Sequence, residues 1–321
     1  MNFKKIPQIV DAETLIDRTL RKSGKIKIMD RSYEYQTKKT IIARTESFAE
    51  NITNVLEKYV KDFPSIDNLP KFYQELIQIK INTDKLKKSL GAVDWARKTS
   101  KNIYNKQKHF LKKSGNIDFL KQKQSEIYGR ISSIIRQIDK ELIILKQAQM
   151  FLKKLPYISD DPTVVIAGYP NVGKSSLLRC ISKAKPIIAE YPFTTKEIYV
   201  GHLFKKEKYI EKKIQIIDTP GLLDRPLSMR NDIEKQAIAA LAHLADIIIF
   251  ILDPSELCGY SLDDQKKLLI QLKKTFNKSD FIVVENKSDF SKTRSRNIKI
   301  SCEKKENIDL IIKEIYEKIK G

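Results

Sequence analysis

Thr163-Val-Val-Ile-Ala-Gly168-Tyr169-Pro170-Asn171-Val172-Gly173-Lys174-Ser175-Ser176-Leu-Leu-Arg-Cys-Ile181 decides the fold. Its centre, Gly168 to Ser175, fits G-x-x-x-x-G-K-S. Before it lies a short β-branched apolar run of the kind that makes a buried strand, and after it a segment that opens a helix. Strand, glycine loop and helix together make this a phosphate loop rather than a chance turn. Glycines permit backbone angles that a side chain blocks. Successive N–H groups then face inward and, with the positive end of the helix, cradle phosphate oxygens. Lys174 is expected to reach the β- and γ-phosphates, and the Ser175 hydroxyl to hold Mg2+.

Working outward from that loop, strands and helices alternate to the end of the chain, which predicts a mostly parallel sheet. Strands are expected over Ile198–Leu203, Lys213–Asp218, Asp246–Leu252, Asp280–Val284 and Lys299–Ile300, and helices over Ser261–Phe276 and Ile308–Ile319. In open α/β sheets the chemistry sits at the carboxyl ends of the strands. There the sequence places Asp218-Thr219-Pro220-Gly221, then Asn286-Lys287-Ser-Asp289, then Ser301-Cys302. Asp218 is expected to hold Mg2+ through water, and the Gly221 N–H to meet the γ-phosphate. A carboxylate at Asp289 accepts from N1–H and the 2-amino group of guanine. Adenine has neither donor and would leave that carboxylate unpaired. Asn286 is expected to brace the loops, the Lys287 stem to cover the base, and the amides of Ser301-Cys302 to approach guanine O6. GTP is therefore favoured over ATP. In the polar loop Tyr191-Pro-Phe193-Thr194-Thr195, Thr195 is expected to coordinate Mg2+ and sense the γ-phosphate; sequence does not separate it from the adjacent Thr194. The fold class is an α/β P-loop GTPase, Ras-like, preceded by an all-α helical bundle.

The boundary is drawn at residues 1–157 and 158–321. The first part is nearly free of glycine and reads as helices: from the cap Asp11 to about Arg21, then a long helix ending near Phe63-Pro64. Asn68-Leu-Pro70 starts a helix with Phe72, Tyr73, Leu76 and Ile77 as its buried stripe. Another long helix from Asn82-Thr83 carries Leu86, Leu90, Val93 and Trp95. One last helix is expected over Ile117–Leu155, with Ile131, Ile135, Ile138, Leu142 and Leu145 as its seam.

Lys plus Arg number 61 against 40 Asp plus Glu, a net of +21 over 321 residues. Before Tyr157 the count is 33 basic and 17 acidic, a net of +16, which leaves 28 and 23, or +5, for the remainder. The asymmetry points to a polyanion, most often nucleic acid; a lysine-rich solvated surface is the competing explanation. Lys101, Lys106, Lys108, Lys112 and Lys113 crowd one helix, with Tyr104 and His109 interleaved, and phosphate contacts of little sequence choice are expected. Three cysteines and three histidines lack metal-ligand spacing. No run of about eighteen apolar residues spans a membrane, and the N-terminus lacks a signal segment. A cytoplasmic, monomeric protein is expected.

Gly168–Ser176, Tyr191–Thr195, Asp218-Thr-Pro-Gly-Leu-Leu-Asp224 and Ala239-Ala-Leu-Ala-His-Leu244 resemble the Obg–Nog group of translation GTPases. Asp67-Asn-Leu-Pro-Lys-Phe-Tyr-Gln-Glu-Leu76 and Leu86-Lys-Lys-Ser-Leu-Gly91 narrow this to the nucleolar GTP-binding protein (Nog) family in its shorter archaeal form. The resemblance implies GTP hydrolysis in assembly of the large ribosomal subunit, with the helical domain docked on ribosomal RNA. Ser301-Cys302 stands where Ser-Ala is usual in the family. Catalytic roles fall to Asn171, Lys174, Thr195 and Gly221. In related GTPases with a similar P-N-x-G-K-S loop, the asparagine at 171 helps bind K+, so potassium stimulation is an expectation. The Ras-type template carries a glutamine after D-x-x-G; here Leu222 holds that place. Hydrolysis is therefore expected to be slow without potassium or a ribosomal partner, and a GTP-gated scaffold with negligible hydrolysis is the alternative. Arg225 and Arg230 are alternative charge donors in the second switch, with solvent-facing loop arginines as the favoured reading.

Overall fold

The structure, a computed structural model, describes residues 3–155, 158–159, 161–182, 186–190, 197–207, 210–291 and 293–319. Two compact units form, and they do not follow the chain linearly. One comprises Asn2–Asn68 and Lys80–Lys153; the other comprises Leu69–Ile79 and Lys154–Gly321.

The helical unit holds α1 (Ala12–Gly24), α2 (Tyr33–Lys61), α4 (Thr83–Lys113), α5 (Ile117–Gln137) and α6 (Asp139–Lys154), while α3 (Lys71–Lys80) belongs almost wholly to the other unit. Short polar side chains start the helices by accepting orphan N–H groups. Asp11 accepts from Thr14, Asn82 from Asp84 and Lys85, and Asn116 from Asp118 and Phe119. Phe48, Ile52, Leu56, Leu86, Val93, Ile127, Ile131 and Leu145 fill the core.

Three expectations for this unit need correction. The single terminal helix is two, divided at Ile138, whose N–H reaches back to Ile135 and Arg136 in a tightened last turn. The break is stabilised because the Asp139 carboxylate accepts the Ala12 N–H at 2.9 Å, tying the start of α6 to the start of α1. Trp95 is 47% exposed rather than core, because the buried stripe of α4 runs through Val93, Ala96 and Ser100 instead. Tyr104 is buried rather than surface-exposed, although Lys108 Nζ still lies over its ring at 5.5 Å. Burial and the neighbouring Glu46 push its phenol well above the ordinary value, so it stays neutral.

The sheet unit holds seven strands in the order β2-β3-β4-β1-β5-β6-β7. They are β1 (Thr163–Ala167), β2 (Ile187–Glu190), β3 (Glu197–Glu207), β4 (Ile210–Asp218), β5 (Ile247–Leu252), β6 (Asp280–Glu285) and β7 (Ile298–Lys299). β4, β1, β5, β6 and β7 run parallel, whereas β2–β3 and β3–β4 are antiparallel. β1 and β5 are buried along their whole length, as strands covered on both faces must be. The helices are α7 (Lys174–Ile181), α8 (Asp232–Ala242), α9 (Leu262–Thr275) and α10 (Ile308–Lys318). β2 and α8 were not expected as elements. Two isoleucines gave β2 too short a signal. α8 declares itself by a reciprocal cap, in which Asn231 accepts from Glu234 N–H and Glu234 from Asn231 N–H.

α3 sits in the sheet unit for a local reason. The Tyr73 hydroxyl accepts the Ile158 N–H at 3.0 Å and lies 3.4 Å from the Ile158 carbonyl, and His243 Nε2 lies 2.7 Å from Glu75 Oε1. Phe72, Tyr73, Leu76 and Ile77 are all buried, as their spacing predicts. Among the described residues no helix is long and apolar enough to cross a membrane.

Candidate functional site

The register puts the chemistry-bearing loops side by side. Ile166 pairs with Asp218, so β1 and β4 end level, and Leu252 pairs with Glu285, so β5 and β6 do the same. The phosphate loop, Asp218–Gly221, Asp253 and Asn286–Asp289 therefore leave the same edge of the sheet.

Gly168 has φ +141° and Gly173 φ +105°. A Cβ at Gly168 would stand 2.7 Å from the Ile251 carbonyl oxygen, and one at Gly173 would stand 2.1 Å from Asn286 Nδ2. Close approach of neighbouring groups, as well as backbone angle, demands glycine at both places. Asn171 also lies in the left-handed region at φ 62° and is exposed. Tyr169 is buried with its ring 4.3 Å from that of Tyr260. Val172 is buried beneath the loop, Pro170 half-buried and Ser176 exposed.

Lys174 is buried, and its Nζ donates to the carbonyls of Gly168 (2.8 Å) and Tyr169 (2.7 Å). Burial lowers its pKa, opposed by the carboxylates of Asp224 and Asp218. An ammonium has three donors, so two bonds to the loop still leave one for an anion. Ser175 Oγ lies 2.5 Å from Asp218 Oδ2, while Asp218 Oδ1 and Thr219 Oγ1 are buried without a hydrogen-bond partner. Burial raises the Asp218 pKa, against the pull of Ser175 and Lys174. A buried carboxylate that costs energy, with a hydroxyl beside it and an oxygen left unpaired, fits a hard divalent cation such as Mg2+. Among the described residues no cluster of three His, Cys, Asp or Glu could hold a metal by itself. An ion here would take its remaining ligands from phosphate and water.

Asn286 joins two loops. Its Nδ2 donates to the Val172 carbonyl at 2.8 Å, and its Oδ1 accepts the Cys302 N–H at 3.1 Å. Lys287, at φ 60°, donates to Asp253 Oδ2 at 2.6 Å. Burial tends to raise the pKa of the Asp253 carboxyl, but Lys287 and Ser255 hold it below the ordinary range. Glu285 accepts from Thr293 and from Asn297 and so pins the segment after Asp289. Asp289 itself is half-buried, and its carboxylate has no hydrogen bond or ion pair among the described residues.

One expectation differs from the geometry here. The amides assigned to guanine O6 are engaged inside the protein: Cys302 N–H with Asn286, and Ser301 N–H with the Glu306 carbonyl at 3.3 Å. The Cys302 thiol is pushed up to about 12 by burial and by Cys180, whose Sγ lies 3.5 Å from the Cys302 carbonyl.

Two arginines follow Asp218-Thr-Pro-Gly221. Arg225 is exposed and pairs with Glu234 at 3.0 Å. Arg230 is not solvent-facing. Its guanidinium is fully buried and donates to the Gly221 carbonyl (2.7 Å) and to Asp224 (3.1 Å). Gly221 has φ +76°, and Leu222 is 2% exposed, packed into the core. Sequence reasoning missed Asp253 and the burial of Arg230. Asp253 was signalled by its position just past β5, whereas nothing in the pattern distinguished Arg230 from Arg225. Phe193, Thr194 and Thr195 lie outside the described residues.

A family model described as the NOG1 N-terminal helical domain matches residues 3–159, and one described as nucleolar GTP-binding protein 1 (NOG1) matches residues 232–289. An uncharacterized protein of Methanocaldococcus jannaschii is 40% identical over 291 residues, covering 89% of this chain and 81% of that one. The chain belongs to the NOG1 family. Nucleolar GTP-binding protein 1 of Drosophila melanogaster is 36% identical over 294 residues, covering 90% of this chain but 44% of the fly protein. The chain thus spans about half the length of such eukaryotic family members. The crystal structure of a Plasmodium falciparum nucleolar GTP-binding protein 1 matches 52% of this chain and 90% of its own, at 34% identity and a TM-score of 0.44. The sheet order and phosphate loop described above are those of a P-loop GTPase fold, and family membership agrees with it.

Proposed function

We propose that this NOG1-family chain binds and hydrolyses GTP, and that it acts as an assembly factor for the large ribosomal subunit by holding ribosomal RNA with its N-terminal helical domain, residues 1–157. The observation that carries the nucleotide reading is the Asn286 bridge. One side chain locks the loop that would cradle phosphates to the loops that would hold the base, so both subsites belong to one rigid piece. Asp289 then supplies a carboxylate with free acceptors for the guanine edge. Phe193 and Thr194 are assigned to the nucleotide as well, with Thr195 on the γ-phosphate.

Ser175 and Asp218, with Thr195, would hold Mg2+, which would neutralise charge on the phosphate oxygens. Lys174 supplies a fixed positive charge from a water-poor site, where electrostatic stabilisation is strongest. Asn171, exposed in the phosphate loop, would take K+ beside the phosphates. Arg230 holds the Gly221 carbonyl and so orients the 221–222 peptide plane, limiting the freedom of the glycine whose N–H would meet a γ-phosphate. We assign it as a positioning residue: both Nη atoms are held by Gly221 and Asp224, while its buried Nε–H has no partner among the described residues.

The second reading, a GTP-gated RNA scaffold with negligible hydrolysis, is favoured by one observation. Leu222 is buried and apolar, and no side chain at that place can orient water. Single-turnover hydrolysis decides between the two. With large-subunit precursor in KCl, the enzyme reading expects a rate at least about tenfold above that of the isolated protein in NaCl, the size of a modest barrier reduction. Equal and negligible rates in every combination would leave the scaffold.

The ribosomal assignment is supported by family membership and by the +16 net charge before Tyr157. It is tested by cross-linking the chain to RNA in cells and reading out the bound nucleotides. Reads concentrated in large-subunit RNA are expected, and reads spread evenly over cellular RNA would overturn it.

A further inference from the structure

At one end of the helical unit three segments meet. α2 and α4 run antiparallel, since Glu46 meets Lys108 at 2.9 Å while Lys38, earlier on α2, lies by Gly115, just past the end of α4. The start of α2 therefore lies by the end of α4 and the turn into α5. A Cβ at Gly115 in that turn would stand 3.8 Å from Lys38 Nζ, which places the first turns of α2 against it. Just before α2, Ile28 N–H donates to Thr40, so the segment from Ile28 to Ser32 folds over the same end.

This end exposes large side chains that a folded surface has no reason to expose. Tyr33 is 83% exposed, Tyr35 61% and Phe110 52%, with Met29 beside them. His109 stacks edge-on against Phe110 at 6.0 Å, and the two line an open pocket of about 450 Å³ with Lys113, Asn116 and Phe119. Cations are interleaved with these rings. Lys38 lies over Tyr35 at 5.6 Å, and Lys123 over Phe119 at 5.8 Å. Arg31, Lys106, Lys112 and Lys113 are exposed or rim the pocket and make no ion pair among the described residues.

We propose that this tip is a binding site for unpaired RNA nucleotides, whose bases stack on Tyr33, Tyr35 and Phe110 while Lys106, Lys112, Lys113 and Arg31 hold the phosphates. Every base has a π-face, and stacking on aromatic side chains is how proteins take bases that are not already stacked in a helix. Charge alone would recognise duplex and single strand alike; exposed rings between the cations select the single strand. A lipid surface fits less well, because, of the tip's large exposed side chains, only Met29 and Phe110 are wholly apolar, too few to form the face that enters a bilayer. The inference rests on the RNA-binding reading above and narrows it from backbone contact to looped or single-stranded RNA.

The test uses the full chain and three probes: a labelled single-stranded RNA, a blunt RNA duplex of equal length, and vesicles of anionic phospholipid. The wild type is expected to favour the single strand. Tyr33→Ala with Phe110→Ala should weaken single-strand binding about 10- to 100-fold, the scale of lost base stacking, and leave duplex binding within about twofold. Tyr33→Phe with Phe110→Tyr should restore it, since ring and area persist. Lys112→Ala with Lys113→Ala should weaken both RNAs and flatten the salt dependence by about 0.7–0.9 per charge removed. Unchanged circular dichroism and nucleotide affinity keep misfolding out of the comparison. Ring-deleted protein that still binds the single strand like wild type, or wild type that prefers duplex, overturns the inference and leaves RNA binding itself standing. Ring-dependent vesicle binding without strand preference overturns it in favour of a membrane. No salt-dependent binding to either RNA would sink the broader reading.

Discussion

The two units use charge in opposite ways. In the sheet unit the decisive charged and polar groups are buried and mutually locked: Lys174 on two carbonyls, Asp218 on Ser175, Asp253 on Lys287, Arg230 on Gly221, Asn286 between two loops. In the helical unit most charges stand at the surface, in exposed pairs such as Lys87–Asp67 or, among the described residues, in no ion pair. A buried polar group costs energy unless its partners are fixed. Its geometry is therefore single-valued and suits one small ligand. Solvated lysines keep their freedom and suit a long polyanion whose phosphates vary in position.

This contrast can be broken by substitution, and the effects should be larger in the sheet unit than in the helical one. The largest belongs to Asp289→Asn, which replaces an acceptor by a donor on the guanine edge. GTP affinity should fall on the order of 10⁴-fold, the discrimination expected of a site built on matched hydrogen bonds, and xanthosine triphosphate, with a carbonyl at C2, should bind better than GTP. Competition binding reads both. Next is Asn286→Ala, which orphans the Val172 carbonyl and the Cys302 N–H. At about 1–3 kcal/mol for each buried group left unsatisfied, the sheet unit should melt several degrees lower by calorimetry, with nucleotide affinity lost in parallel. Asp218→Asn should separate stability from function. Burial raises the Asp218 pKa above its ordinary 3.8, so the folded protein carries a penalty for the charged form at neutral pH. A neutral amide removes that penalty and should raise the melting temperature of the nucleotide-free protein while lowering the Mg2+ dependence of nucleotide binding.

The smaller effects lie in the helical unit. Asp139→Ala loses the bond to Ala12 N–H at the division of α5 from α6 and should cost about 1 kcal/mol, the usual value of a cap. Lys87→Ala should leave the melting curve unchanged, because exposed pairs contribute little. A helical-unit lysine whose removal weakens nucleotide binding as strongly as Asn286→Ala would erase the distinction between the units.

Much of this was legible in the sequence, for a reason that follows the same division. The phosphate loop, Asp218–Gly221 and Asn286–Asp289 are local strings whose spacing is imposed by one ligand. Helix starts at Asp11, Asn82 and Asn116 are local too, because a cap acts within three residues. What escaped depends on contacts distant in sequence. The break at Ile138 needs Ala12 on the far side of the chain, and the place of α3 needs Ile158 and His243. Burial of Arg230 needs the Gly221 carbonyl turned toward it. Trp95 and Tyr104 lie nine residues apart on one helix and exchange their expected places, since composition ranks residues by type while packing ranks them by face.

The most direct measurement is calorimetric titration of the full chain with GTP, ATP and xanthosine triphosphate in Mg2+, on the wild type and on Asp289→Asn. Wild type should bind GTP and not ATP, and the variant should transfer its preference to xanthosine triphosphate. Equal binding of GTP and ATP by the wild type, or a variant that keeps GTP with undiminished affinity, would contradict a guanine nucleotide site braced by Asn286.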